Sequence, residues 1–546
     1  MDYNALADLL LPHITQAPEE IEAQYPPRNL PEGAMVTRMA PSPTGFMHLG
    51  NLFGAITDER LAHQSGGVFF LRIEDTDQKR EVPGGVEKIL EVFADYGLPF
   101  DEGATLDGDS GNYGPYRQRQ RAASYQVFAK WLIANGKAYP CFCTEEELAA
   151  MRETQTANKE NYGYYGPYAL HRNLTWEEIN EKLAQKIPFV IRFRSQGDPN
   201  NRVHFTDLVK GAIDFPENEQ DAVILKSDGV PTYHFAHVVD DHLMRTTHVV
   251  RGEEWLATLP IHVQLFQAMG WQAPQYIHTA QLMKMDGGSK RKLSKRKDPE
   301  LALDYYKEQG YSVAALKEYL ITLLNSNFEE WRIANPMEPL ESFPFSYQKM
   351  SVSGALFDLD KLNDVSKNVV SRLTAPEACT LLIAWAKEFD KPFSDLLTRD
   401  EAYAQSILAI GRGVAKPRKD ITAWRDAKEY MSFFYPELFA PAYQWPEKLS
   451  DSQAKEILTT YAAAFALPAD GSAWFDGVKQ LSEQLGYTTN MKEYRKTPDA
   501  FPGNVGDVST VLRVALTGRS NSPDLYEIMK LLGEAETIAR LQKATQ

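Results

Sequence analysis

The segment 36–73 places the tightest constraint on what this chain can fold into. A short extended stretch is followed by a turn rich in proline and glycine, by an amphipathic stretch over about residues 51–64, and by an apolar run over residues 68–73. A strand, a helix and a second strand in this order form a βαβ unit, because parallel strands need a covering crossover. The segment therefore predicts a parallel α/β domain.

Length and composition predict several folded domains. The chain has 546 residues, of which 43% are hydrophobic and 24% are charged, as is typical of globular proteins. At roughly 100 to 200 residues per domain, we expect three to five domains. No apolar run approaches the roughly 18 residues of a membrane-spanning helix, and the leader is acidic where a targeting peptide is basic. We therefore expect a cytoplasmic protein without a membrane partner.

The distribution of charge is more informative than its sum. A net charge of −16 argues against a polyanionic partner, because nucleic-acid affinity depends on Lys and Arg. However, residues 281–297 contain seven basic residues and one acidic residue, and residues 412–428 form a second basic stretch. Local basic sites on an acidic body favour selective contact with RNA.

The α/β pattern is interrupted and then ends. Apolar runs at residues 189–193, 222–225 and 248–250 predict that the parallel sheet resumes after an insertion, which we place between about residues 120 and 220. Beyond about residue 310 helical periods dominate, so the C-terminal third is predicted to be helical. Residues 1–34 resemble an appended helix and linker, and we assign them no chemistry.

The first chemical motif covers residues 38–51, which read Arg-Met-Ala-Pro-Ser-Pro-Thr-Gly-Phe-Met-His-Leu-Gly-Asn. Amides at a helix N-terminus favour anions, Gly50 would let a ligand approach the backbone, and His48 can donate hydrogen bonds to phosphate oxygens. A single histidine at a helix start is more often a cap. The motif therefore needs a second observation to support a nucleotide site.

The second motif is Lys-Leu-Ser-Lys-Arg at residues 292–296, on an expected polar loop. Lys292 and Lys295 could reach adjacent phosphates and stabilise the charge that develops on pyrophosphate in an in-line displacement. Taken alone, a solvated basic loop is the simpler interpretation. The two motifs together predict a nucleotide-binding site.

The pair resembles the two signatures of class I aminoacyl-tRNA synthetases, and the flanking blocks resemble glutamyl-tRNA synthetases of the bacterial type. Those blocks, in family order, lie at residues 41–45, 72–77, 114–118, 231–234, 239–242, 251–255 and 512–518. The resemblance covers about residue 36 to the C-terminus. It implies a multidomain chain with an α/β Rossmann-like catalytic domain, an α+β insertion and all-α C-terminal domains.

The resemblance also implies domain boundaries. These are an N-terminal extension (1–34), a split catalytic domain (35–120 and 221–310), an acceptor-binding insertion (121–220), a stem-contact or connecting domain (311–375) and a helical anticodon-binding region (376–546). A monomer is expected. Its reactants would be L-glutamate, ATP with Mg²⁺ and tRNA(Glu), with glutamyl-adenylate formed first and then transferred to the 3′-terminal adenosine.

Site residues follow from the same resemblance. It assigns catalysis to His48, Gly50, Lys292 and Lys295, ATP binding to these four with Asn51, Leu293 and Ser294, and glutamate binding to Arg38, Ala40, Ser42, Glu74, Tyr233, His237 and Arg251. The chemistry agrees, since a glutamate pocket needs cations for two carboxylates and an anion for the α-ammonium group. Glu74 could equally belong to a structural network with Arg72 and Asp75.

The sequence departs from the family at three places. Near residues 363–365 it lacks a Trp-x-Asn motif that is common in relatives, which argues against carrying over a tRNA-stem contact there. His237 stands where many bacterial relatives have Asn in the glutamate pocket. Cys141 and Cys143 resemble the first half of a zinc site in some relatives, but Tyr168 and His171 stand near the place of the expected third cysteine. A structural zinc needs four good ligands. We therefore assign no metal and expect two ordinary thiols, with zinc as the alternative.

Three alternatives remain open. Glutaminyl-tRNA synthetases usually carry a different turn from the Pro-Ser-Pro-Thr-Gly of residues 41–45, which argues against that family. A catalytically silent RNA-binding paralogue would lose signature residues that are retained here. A non-discriminating enzyme would also charge tRNA(Gln); Arg418 matches a position where an arginine in relatives favours the glutamate anticodon, so we expect the selective form.

Overall fold

The computed structural model describes residues 1–294 and 296–546, so Lys295, predicted to act in catalysis and ATP binding, lies outside the described residues. The chain divides into two compact units. The first comprises Met1–Tyr305 with Lys317–Asp358, and the second comprises Tyr306–Leu316 with Leu359–Gln546.

The strands of the described residues all belong to the first unit. They are β1 Val36–Met39, β2 Val68–Leu71, β3 Glu102–Thr105, β4 Gly108–Ser110, β5 Ala138–Cys141, β6 Val190–Phe193, β7 Arg202–Asp207, β8 Gly211–Pro216, β9 Val223–Leu225, β10 His248–Gly252, β11 Gln275–Thr279, β12 Leu282–Asp286, β13 Ser289–Lys292 and β14 Ala355–Leu356.

Helices occur along the whole described chain. The first twelve are α1 Tyr3–Leu10, α2 Pro18–Glu22, α3 Leu49–Gln64, α4 Gly85–Asp95, α5 Ala122–Ala134, α6 Glu145–Asn158, α7 Trp176–Ala184, α8 Tyr233–Leu243, α9 Leu259–Met269, α10 Leu303–Gln309, α11 Val313–Leu324 and α12 Phe328–Ala334. The others are α13 Leu359–Arg372, α14 Ala375–Phe389, α15 Lys391–Arg399, α16 Glu401–Ala409, α17 Trp424–Met431, α18 Asp451–Ala463, α19 Gly471–Gln484, α20 Met491–Lys496, α21 Val505–Thr517 and α22 Leu525–Lys543.

The predicted βαβ unit is confirmed. Strands β1 and β2 pair in parallel, with Val36 opposite Val68, and α3 connects them. β3 extends the sheet in parallel, while β4 is antiparallel. A second parallel pair, β10 and β11, lies beside β1, where the Thr247 amide donates to the Val36 carbonyl at 3.0 Å. The carboxyl ends of β1 and β10 therefore meet at one edge, where α/β proteins bind ligands.

The insertion contains strands that the sequence assigned to the parallel sheet. We expected residues 222–225 to resume that sheet, but β9 pairs antiparallel with β6, and β6 pairs antiparallel with β5. β7 and β8 form a separate antiparallel hairpin. The expectation was wrong for this strand because a short apolar run has the same composition in either type of sheet.

The N-terminal segment is folded onto the first unit. α1 and α2 contact α5, and Arg28 forms two hydrogen bonds of 2.9 Å with the Glu102 carboxylate. The Tyr113 hydroxyl donates to the Pro26 carbonyl at 2.9 Å. The expected appended helix is thus part of the core, although no chemistry is assigned to it.

In the second unit, described residues form helices around two apolar cores, as predicted for the C-terminal third. One core lies around Val508 and Leu512 of α21, and the other around Leu382 of α14 and Ile407 of α16. α14 begins with a capping box, in which Thr374 and Glu377 exchange hydrogen bonds with each other's backbone amides. In the part of the chain that the structure describes, no helix is long and apolar enough to span a membrane.

Candidate active site

A cavity of about 500 Å³ opens at the carboxyl ends of the parallel strands of the first unit. Its walls come from the ends of β1, β10 and β11, the N-terminus of α3, the first residue of α8 and the end of β13. Ten residues predicted for the site line it: Arg38, Ala40, His48, Gly50, Asn51, Glu74, Tyr233, Arg251, Lys292 and Leu293. Both sequence motifs therefore border one cavity.

Three other predicted residues lie outside the lining. Ser42 is exposed on the turn after β1, and Ser294 lies beyond the end of the β13 strand. His237 is fully buried behind Tyr233, whose ring stacks on the imidazole with 5.9 Å between centroids. His237 is therefore placed to support Tyr233.

The N-terminus of α3 has the geometry of an anion site. His48 is the N-cap residue, in an extended conformation, and its amide donates to the Asn51 side-chain oxygen at 3.0 Å. A Cβ atom at Gly50 would lie 3.1 Å from the His48 ring, so only glycine leaves that imidazole unhindered. The first amides of a helix are without intrahelical partners and attract phosphate oxygens.

Lys292 ends a strand rather than lying on the expected polar loop. β12 and β13 form an antiparallel hairpin, with Lys292 opposite Met283. Asp298 fixes the turn that follows. It accepts two hydrogen bonds from Arg291, at 2.6 and 2.8 Å, and one from the Ser294 amide at 2.9 Å. The Arg291 guanidinium holds the pKa of Asp298 well below its usual range.

Asp298 was not among the predicted site residues. A lone acidic residue directly after a run of basic residues was the available signal.

Arg38 is held by a buried carboxylate. Its Nε donates to Asp241 Oδ1 at 3.1 Å, and Arg72 Nη1 donates to the same oxygen at 2.8 Å. Burial alone raises the pKa of Asp241, but Arg38 and Arg72 outweigh it and keep that pKa well below its usual range. Asp241, which was not among the predicted site residues, therefore neutralises and orients Arg38.

Glu74 belongs both to the cavity and to this network. It lines the cavity, and its Oε1 accepts a hydrogen bond from Arg72 Nη2 at 3.1 Å. Burial raises the pKa of Glu74 while Arg72 and Arg38 oppose that rise. Asp75 is not a third member, because it accepts from the Arg119 amide instead.

Arg251, at the end of β10, has a different kind of partner. Its Nε donates to His278 Nε2 at 3.0 Å, and its Nη1 lies 3.2 Å from His262 Nδ1 and 3.4 Å from the Tyr233 hydroxyl. The Tyr276 ring lies 4.7 Å from the guanidinium carbon. The guanidinium is thus fixed in place by uncharged or aromatic groups.

His237 connects the two arginines. Its Nδ1 lies 2.5 Å from Asp241 Oδ2, and its Nε2 accepts from the Tyr276 hydroxyl at 2.8 Å. Burial lowers the pKa of His237 to about 4, with Asp241 opposing and the positive charges of Arg251 and Arg38 adding to the effect. The imidazole is therefore neutral at neutral pH.

Cys141 and Cys143 lie in the insertion with two polar side chains. Cys143 Sγ is 3.3 Å from His171 Nδ1, and the Tyr164 hydroxyl is 3.5 and 3.4 Å from the two sulfurs. Tyr168 lies elsewhere and contacts Glu160. Three side chains of the types that zinc prefers, two thiols and one imidazole, come together, but the fourth neighbour is a phenol, so the cluster fits a metal only in part.

Arg418 lies in the second unit beside Gly411, where a Cβ atom would lie 2.8 Å from the Arg418 Cγ, so the glycine leaves room for the aliphatic stem. Its guanidinium forms two hydrogen bonds with Asp420, at 2.6 and 2.8 Å. The side chain is therefore fixed rather than freely solvated.

Two family models match the chain. The one described as "tRNA synthetases class I (E and Q), catalytic domain" matches residues 34–364, and the anticodon binding domain matches residues 381–545.

Two full-length relatives are named glutamate–tRNA ligases. A glutamate–tRNA ligase of Acetivibrio thermocellus is 54% identical over 544 residues, with both chains fully covered, and one of Clostridium beijerinckii is 50% identical over 549 residues, covering 100% of this chain and 99% of that one. A crystal structure of a glutamate-tRNA synthetase from Elizabethkingia anophelis superposes with a TM-score of 0.73 at 29% identity, covering 94% of this chain and 99% of that one. One from Elizabethkingia meningosepticum, in complex with its amino acid, gives 0.72 at 28%, with the same coverage.

Proposed function

The chain belongs to the glutamate–tRNA ligases, class I aminoacyl-tRNA synthetases, and we propose that its cavity is where L-glutamate reacts with ATP before transfer to tRNA(Glu). One observation carries the proposal. The His48–Gly50 turn and two buried guanidinium groups, those of Arg38 and Arg251, face a single cavity. That cavity offers a phosphate site and sites for two carboxylates.

The nucleotide would occupy the α3 side of the cavity. Amides at the start of α3 and the His48 imidazole would bind phosphate oxygens, and Gly50 and Asn51 keep that approach open. Lys292, at the end of the hairpin, would stabilise the charge of departing pyrophosphate, together with Lys295. Magnesium would accompany ATP and neutralise its phosphates.

L-glutamate would occupy the opposite side. Arg38 and Arg251 would bind its two carboxylates, and Glu74 would bind its α-ammonium group. Tyr233 would add a polar contact and Ala40 would line the site through its backbone, while His237 would act through Tyr233. Glu74 is already anchored by Arg72, which orients its carboxylate without removing it from the cavity.

The reaction needs no nucleophile from the protein. An oxygen of the glutamate α-carboxylate attacks the α-phosphorus of ATP, the bond to the bridging oxygen of the β-phosphate breaks, and pyrophosphate leaves. The 2′-hydroxyl of the terminal adenosine of tRNA then attacks the acyl carbon, and AMP leaves. Enzyme groups position the reactants and stabilise charge, the two effects that account for most catalysis of phosphoryl transfer.

The proposal also assigns a role to each segment of the chain. Residues 35–120 and 221–310 would form the catalytic domain, 121–220 would bind the acceptor end, 311–375 would contact the stem, and 376–546 would bind the anticodon. Arg418, fixed by Asp420, would favour the glutamate anticodon.

Aminoacylation of purified tRNA(Glu) and tRNA(Gln), assayed separately with L-glutamate and Mg-ATP, tests the proposal. Glutamyl-tRNA(Glu) should form, and tRNA(Gln) should be a poor substrate. Equal rates with the two tRNAs would show the non-discriminating form. No product with either tRNA would identify a silent paralogue and refute the proposed activity.

A further inference from the structure

The two arginines that face the cavity are held by groups of opposite electrostatic character. Arg38 donates to the ionised Asp241, so its charge is compensated within the protein. Among the residues that the structure describes, no carboxylate lies within 4.0 Å of Arg251. Its two shortest hydrogen-bond contacts are with the ring nitrogens of His278 and His262, at 3.0 and 3.2 Å.

Hydrogen-bond geometry fixes which form of each imidazole is present. His278 Nδ1 lies 2.7 Å from Asp207 Oδ2, so it carries the proton and leaves Nε2 as an acceptor for Arg251. His262 Nδ1 faces Arg251 and must be the acceptor, while its Nε2 donates to His234 Nδ1 at 3.0 Å. Both histidines are therefore neutral acceptors.

The guanidinium of Arg251 is also incompletely satisfied. The side chain is 92% buried and lines the cavity, yet its Nη2 has no hydrogen-bond partner. A buried guanidinium nitrogen without a partner is costly unless a ligand completes it. The unpaired donor and the uncompensated charge both call for an anionic group of the ligand.

We infer that His262 and His278 are specificity-determining positioning residues, which hold Arg251 through neutral imidazoles so that its whole charge is available to the side-chain carboxylate of L-glutamate. The inference rests on the proposed function. L-Glutamine has a carboxamide of nearly the same shape, which can accept hydrogen bonds but cannot compensate the charge. A carboxylate side chain in place of His262 or His278 would compensate the charge of Arg251 and remove this distinction between L-glutamate and L-glutamine.

The surroundings keep both imidazoles neutral. Burial lowers the pKa of His262 well below its usual range, with further lowering by the neighbouring His237 and Arg251. Burial also lowers the pKa of His278, against the opposing effect of Asp207. Protonation of either ring would place two positive groups in contact.

Two isosteric variants of His262 test the inference. His262→Asn keeps a neutral oxygen acceptor near the Nδ1 position, and His262→Asp has the same size but adds the carboxylate that Arg251 lacks. Relative to His262→Asn, His262→Asp should raise the KM for L-glutamate about thirtyfold, because Arg251 is then compensated internally. The KM for ATP and the Ki of L-glutamine as a competitor should each change less than about threefold.

Gln264→Glu is the matched control. Gln264 lies on the same helix, α9, and contacts Ser195 and Asn218 rather than Arg251. The Gln264→Glu substitution adds one negative charge of the same kind, and the KM of this variant for L-glutamate should equal that of the wild type.

Equal KM values for L-glutamate in His262→Asn and His262→Asp, with wild-type ligase activity intact, would overturn this inference and leave the proposed function standing. Absence of glutamate ligation by the wild type would overturn the function itself. If His262→Asp does not fold, as judged by its circular dichroism, the pair His278→Gln and His278→Glu makes the same comparison at the Nε2 contact.

Discussion

Protonation of His237 should destabilise the first unit in acid. The imidazole is buried between Asp241 and the Tyr276 hydroxyl, and its pKa falls from an ordinary value of 6.5 to about 4. Between these values the unfolded chain binds a proton that the native protein does not. The free energy of unfolding therefore falls as the pH falls through this window.

The magnitude follows from the two pKa values. Each pH unit between 6.5 and about 4 costs about 1.4 kcal/mol, so this one group removes about 3 kcal/mol of stability by pH 4. Asp241 does not titrate in the window, since its pKa lies well below the usual range. Glu74 has a raised pKa, so its protonation raises the free energy of unfolding as the pH falls. Because both proteins compared below contain Glu74, its contribution cancels.

His237→Asn removes the titrating group and retains an amide that can donate to Asp241. Hydrogen exchange of the α8 amides, measured by mass spectrometry at several pH values, reports unfolding of the first unit. Comparison of the two proteins at the same pH cancels the change in intrinsic exchange rate. The wild type should lose about 3 kcal/mol more protection than the variant between pH 7 and pH 4.

Parallel pH profiles, differing by less than about 0.5 kcal/mol, would refute the reasoning. In that case the native imidazole would bind its proton as readily as the unfolded chain does.

Three further substitutions address the cavity and its support. Asp241→Asn removes the carboxylate that pairs with Arg38 and one of the carboxylates around Arg72, and it should cost about 3 to 5 kcal/mol, measured by exchange of the α8 amides; a loss below about 1 kcal/mol would contradict this. Lys292→Ala should lower kcat for acylation about a hundredfold, because a cation facing pyrophosphate is lost, while Lys290→Ala on the same strand should not; equal effects would argue against the assignment. Arg28→Ala breaks two hydrogen bonds to the half-buried Glu102 and should lower the unfolding free energy of the first unit by about 2 kcal/mol without changing the KM for ATP; an altered KM would show that the N-terminal segment affects the site.

Local patterns in the sequence predicted the elements that carry the chemistry. The βαβ unit was predictable because the period of apolar residues and the Pro/Gly turn are local properties. The same holds for the helical C-terminal third. The two motifs predicted a phosphate site because each combines residue types and a spacing that phosphate chemistry requires, and residues of both motifs line one cavity.

Only the tertiary structure decided whether the positive charge of each arginine is compensated by a carboxylate of the protein. Arg38 and Arg251 look alike in the sequence, yet β1 brings one against Asp241 and β10 brings the other against His262 and His278. Asp241 lies 203 residues from Arg38 in the chain, whereas His262 and His278 lie 11 and 27 residues from Arg251. In both cases the hydrogen-bond distances and the burial exist only once the strands and helices are assembled. The sequence determined which charged and polar groups are available. The packing of strands and helices determined which of the two arginines has its charge compensated by a carboxylate of the protein.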